Sequence, residues 1–105
     1  MTYQHIVSAG RVLALPTWEA QLLLIELNRL PAGQHPDGRS AAALLKRGLD
    51  RREPVGFNRG QAAAVLRALE GIRFKRGGLR GTLAQLRELL RRELEQPVAQ
   101  FGRAS

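Results

Sequence analysis

NRGQAAAVLRALEGIRFKRGGLRGTLAQLRELLRREL, from Asn58 to Leu94, reads as two runs of helical period hinged on a basic, glycine-rich connection. Ala62, Val65, Leu66, Leu69 and Ile72 recur three and four residues apart in the first run, as Leu86 and Leu90 do in the second. Asn58 with Gln61 three residues on makes a capping-box pattern, and Thr82 with Gln85 repeats it. These signals predict helices over about 59–72 and 83–95, with Gln96-Pro97 ending the second. Val98 to Phe101 is then a short extended candidate, and 102–105 a frayed tail.

The preceding residues look like an imperfect copy. Proline restricts its predecessor to extended geometry, so Val12 to Leu15, ahead of Pro16, reads as extended. Thr17 offers a hydroxyl cap to a helix over about 17–30, with Glu19 in its first turn. Pro31 and Gly33 stop it, and Gln34 to Gly38 reads as a polar turn. Ser40 is a candidate cap for a second helix carrying Ala41, Ala42, Leu45 and Leu49, which Gly48 weakens and Glu53-Pro54 ends. Val55 to Phe57 reads as short and extended.

The two halves match at a shift of 42 residues. Ala20, Leu23, Leu24, Leu27 and Leu30 correspond to Ala62, Val65, Leu66, Leu69 and Ile72, and Ser40 to Thr82. With one residue of slippage, Leu45 and Leu49 meet Leu86 and Leu90. The expected fold is therefore mainly α: four helices as two tandem helical hairpins, an internal repeat of roughly 42 residues, with short extended segments at the start, middle and end. The units span approximately 12–54 and 55–101 of a single domain, 1–105. Any two amphipathic hairpins align at their leucines, which is the plainer account of the match.

Helix one differs from its counterpart. At 100° per residue, Trp18, Leu22 and Ile25 lie opposite the leucine face, where the second unit has Gly60, Ala64 and Arg67. This extra apolar face needs a cover. The N-terminal segment with Tyr3, Ile6 and Val7 is one candidate, and a second copy of the chain or another protein is the other.

Composition narrows the chemistry. The chain has 105 residues, 44% hydrophobic, and no cysteine, which excludes disulfides, thiolate metal sites and thiol nucleophiles. No stretch reads as a leader or a membrane span, so a cytoplasmic location is expected. His5 and His35 lie in no metal or catalytic pattern and are expected at the surface. Glu88, Glu93 and Glu95 sit among Arg87, Arg91 and Arg92 at spacings that make helix-surface ion pairs rather than an acid–base dyad. Gly71, Gly77, Gly78 and Gly81 match no nucleotide-binding fingerprint. A non-enzymatic protein with no metal, cofactor or small-molecule substrate is the expectation.

Charge carries the functional signal. Lys and Arg number 17 against 9 Asp and Glu, a net +8, and all of the excess falls after residue 38. The connection from Ile72 to Gly81 gathers Arg73, Lys75, Arg76 and Arg80 around Phe74 and three glycines, just ahead of a helix start at Thr82. Arginine suits bidentate phosphate contact and Phe74 suits base stacking. Arg47, Arg51, Arg87 and Arg91 would extend that surface. The alternative is that Phe74 and Leu79 tuck into the core and leave ordinary solvated charges. The nine-residue connection is too long for a helix-turn-helix, so phosphate-led contact with little sequence preference is expected. A protein-interaction module or homodimeric adaptor, docking through Trp18, Leu22 and Ile25, is the competing expectation.

Overall fold

A computed structural model of the chain describes residues 2–8, 10–31 and 33–95. The architecture is mainly helical, with four helices and a small three-stranded sheet. In chain order these are β1 (Tyr3–Ser8), β2 (Arg11–Pro16), α1 (Thr17–Arg29), α2 (Asp37–Arg51), β3 (Val55–Gly56), α3 (Arg59–Arg76) and α4 (Gly81–Glu95). The expected extended segment at Val98 to Phe101, and the tail after it, lie outside the described residues.

The N-terminal residues form a complete hairpin, more than the extended Val12 to Leu15 expected. β1 pairs antiparallel with β2 from Tyr3↔Pro16 to Ser8↔Arg11, and Gly10 takes φ +75° in the connection. β3 joins the other edge of β1 in parallel, giving the order β2-β1-β3. Period-2 alternation sends Ile6 and Leu15 into the core and leaves Tyr3, Val7 and Val12 on the outer face. The N-terminal segment therefore contributes Ile6 to the core, not a lid over α1.

Leu23, Leu27, Leu45, Val65, Leu69, Ile72, Leu86 and Leu90 form the centre of the core with at most 1% of their surface exposed. Burial of each such side chain contributes about 1.5–3 kcal/mol. α2 packs on α1 and α3, and α4 on α3 and β2. Gly48, expected only to weaken α2, marks where the sheet crosses it: a Cβ there would collide with Val55 and crowd the Gln4 amide. That amide is buried and donates to the carbonyls of His5 and Glu53 (3.1 and 2.7 Å).

Three helix starts differ from expectation. The capping box at Asn58 and Gln61 is present, each backbone N–H donating to the other's side chain. Thr17 is not a cap: its hydroxyl meets that of Thr2 at 2.7 Å, and Pro16 precedes the helix. α2 begins at Asp37, three residues before Ser40, whose hydroxyl donates back to the Asp37 carbonyl. Asp37-Gly38, expected in a turn, is thus the first helical turn. α4 begins at Gly81, and the Thr82 hydroxyl donates to the Glu19 carboxylate at 2.8 Å instead of capping its own helix.

Candidate nucleic-acid interface

α3 runs one turn beyond its expected end. Ile72 is its last buried residue, but Arg73, Phe74, Lys75 and Arg76 remain helical, and Gly77 closes the helix in the left-handed region with its N–H on the Arg73 carbonyl. The basic cluster expected in a loop is therefore a helix C-terminus, where the macrodipole itself favours cations. Only Gly77 to Arg80 form the connection, four residues where nine were expected, so its length does not argue against a helix-turn-helix.

Two clefts flank this helix end and meet at Gly77 and Gly78. The first, about 840 Å³, lies between the ends of α1 and α3, with Arg29, Arg67, Arg73 and Lys75 among its lining side chains. Phe74 also borders it and is 89% exposed, so the ring does not tuck into the core. Leu79 does pack against the core. Arg67 shares Phe74's face of α3 two turns earlier; ending the helix at Ile72 had hidden this alignment.

Carboxylates in the first cleft are already engaged. Glu26, only 7% exposed, accepts from Lys75 at 2.6 Å and pairs with Arg29 at 3.5 Å. Glu70 accepts from Arg87 at 2.7 Å and Arg73 at 3.1 Å, and these hydrogen bonds, Arg87's first, hold its carboxyl below the usual glutamate range. Among the described residues no carboxylate pairs with Arg67, Arg76 or Arg80.

The second cleft, about 510 Å³, lies between the starts of α1 and α4 and is lined by Trp18, Glu19, Arg76, Arg80 and the connection. The Arg76 guanidinium lies 5.6 Å from the centroid of the Trp18 ring, a cation–π contact. Glu19 is buried beside Thr82, so the start of α4 already faces an internal anion. A phosphate seated on that helix start, as the sequence suggested, would meet Glu19.

The remaining expected contacts do not converge. Arg47 borders a separate groove with Glu53 to Gly56, and Arg51 is exposed elsewhere on α2. Arg91 pairs with Glu88 and Glu95, while Glu93, expected in a surface pair, accepts from the Ser8 hydroxyl. On α1, Trp18 and Ile25 are about half exposed, whereas Leu22 packs at the margin of the core. The extra apolar face is therefore narrower than three residues.

His5 is exposed and His35 half-buried, and among the described residues no group of His, Cys, Asp and Glu could hold a metal. No helix among them is long and apolar enough to cross a membrane. No known protein family matches the chain, and comparisons with characterised proteins and with solved structures returned no significant similarity.

Proposed function

We propose that the protein is a small, non-enzymatic nucleic-acid-binding protein of the cytoplasm, architectural or regulatory, which contacts phosphates with little sequence preference. The observation that carries this reading is Phe74: an aromatic ring 89% exposed in the last turn of α3, bordering a cleft with Arg67, Arg73 and Lys75. An apolar ring held in water has no folding role, whereas beside phosphate-binding cations it serves as a stacking platform. Among the described residues Arg67, Arg76 and Arg80 have no carboxylate partner, so phosphate contact by them breaks no ion pair among those residues. Arg73, Lys75 and Arg87 first satisfy Glu26 and Glu70 and present their remaining N–H groups. Arg47, Arg51 and Arg91 contribute only to the general field.

The test is fluorescence anisotropy with labelled oligonucleotides across a salt series. Replacing Arg67, Arg76 and Arg80 with Ala should weaken binding to all sequences alike and flatten the log–log salt slope by about 2 to 3 units. An unchanged slope, or no binding by the wild type at low salt, removes this reading.

A second reading rests on a different surface. Trp18 and Ile25 on α1, and Tyr3, Val7 and Val12 on the sheet, leave apolar area open, as a homodimer or protein-docking surface would. Sedimentation of the wild type against an Ile25→Glu variant decides it.

For the architecture, we propose the tandem repeat of two helical hairpins. Its support is a reciprocal pair of hydrogen bonds: Gln61 Nε2 donates to Ser40 Oγ at 3.2 Å, and Thr82 Oγ1 to Glu19 Oε1 at 2.8 Å. Glu19 and Gln61 are 42 residues apart, as are Ser40 and Thr82. Such a reciprocal pair is what a pseudo-twofold axis between the hairpins would produce. Ala20 and Ala62, Leu23 and Val65, and Leu27 and Leu69 are also buried alike.

A further inference from the structure

Resting on the nucleic-acid reading above, we propose that the cleft between the starts of α1 and α4 takes an unpaired base stacked on Trp18, so that the protein selects single-stranded over duplex nucleic acid. Trp18 is 52% exposed, and the cleft it borders falls within the 300–1,000 Å³ that small organic groups typically fill. Arg76 and Arg80 at its wall have no carboxylate partner among the described residues, and Glu19 is turned inward to Thr82. The cleft thus offers a ring for a base and two cations for its phosphates. Arg76 lies over the indole, and with about half of its surface exposed Trp18 retains area for a base.

The two clefts share a border. Gly77 and Gly78 belong to both clefts, and a Cβ at either would touch nothing within 4 Å. A strand with one base on Trp18 would pass these glycines towards the cleft that Phe74 and Arg67 border. The interior base faces of a duplex are already stacked on each other, which leaves only its terminal pairs free to meet either platform. Opening a step costs a few kcal/mol. Two exposed rings on either side of a cationic helix end are therefore of use to a single strand.

Trp18 is the only tryptophan, so its emission reports directly on its own surroundings. The wild type is titrated at low salt with short unlabelled oligothymidylate, oligouridylate and a duplex of the same length. Both single strands should quench the emission and bind at least about tenfold more tightly than the duplex. By anisotropy, Trp18→Ala should lose about 5- to 150-fold in single-strand affinity with duplex affinity unchanged, and Trp18→Phe should recover most of the loss. Equal affinity for single strand and duplex, or saturation without change in emission, overturns the stacking cleft while leaving phosphate-led binding in place. Absence of binding to any of the three removes both. Circular dichroism checks the variants, and if Trp18→Ala is unfolded the wild-type emission and strand selectivity decide.

Discussion

The junction of α2 with α3 and that of α1 with α4 occupy corresponding places in the proposed repeat, yet one is closed and the other open. At the closed junction the helix starts lie so near that a Cβ on Gly60 would collide with the Asp37 carboxylate. Forty-two residues earlier the position holds Trp18, and there α1 and α4 leave the cleft of about 510 Å³ with Leu79, the counterpart of Asp37, on its wall. A hydroxyl meets a side chain at both, Ser40 accepting from Gln61 and Thr82 donating to Glu19. Where the closed junction has Gly60 the open one has Trp18, and each keeps a polar link behind it.

The largest expected effect tests whether the hairpins are equivalent at all. Leu27 and Leu69 are each essentially fully buried, so Leu27→Ala and Leu69→Ala should each cost about 2–5 kcal/mol, by transfer and cavity together. If the repeat holds, the two losses should agree within about 1 kcal/mol in urea denaturation with equal slopes. A core that tolerates one substitution and collapses with the other would treat the hairpins as unrelated elements.

Gly60→Trp is the sharper probe and the next in size. The added indole has to part α2 from α3 or displace Asp37, an overpacking cost of about 1–3 kcal/mol. Thermal denaturation measures it. A neutral result would mean that the side chain escapes to solvent and that Gly60 does not hold the junction closed. In that case Trp18 is not what opens its counterpart.

The sequence showed the core face of every helix, because leucine spacing is set by the helix itself: Leu23, Leu27, Val65 and Leu69 are all buried as their period requires. Asn58 with Gln61 was equally legible, since both bonds of a capping box are local. Thr17, Ser40 and Thr82 misled for one reason. Each hydroxyl has a local option and a distant one, and for Thr17 and Thr82 the distant partner, Thr2 or Glu19, is set by the tertiary fold. The end of α3 was hidden because hydrophobic period stops at Ile72 while the backbone continues to Gly77; exposed helix carries no apolar signal. Trp18 belongs to an apolar face for which the sequence calls for a cover, and only the fold leaves it half exposed beside Arg76, whose number in the chain gives no hint of the contact.

The smallest effect separates the two hairpins by charge. Glu70 on α3 bonds to Arg87 on α4, whereas Asn28, its counterpart on α1, offers no carboxylate to α2. Because the bonds to Arg87 and Arg73 lower the folded carboxyl's pKa, the ionised form is favoured in the folded state. Its contribution is present above the ordinary glutamate value of about 4.3 and is lost as pH falls through the lowered one. The Glu70 side chain is 35% exposed, so solvent screening keeps the contribution small. Acidification should therefore loosen α3 against α4 before it affects α1 against α2, read as earlier loss of amide protection near Arg87 than near Leu45 in hydrogen exchange. Glu70→Gln should abolish that order. Were the two hairpins to open together at every pH, with or without Glu70, the bridge would be ornamental and the distinction between the hairpins would rest on Trp18 and Gly60 alone.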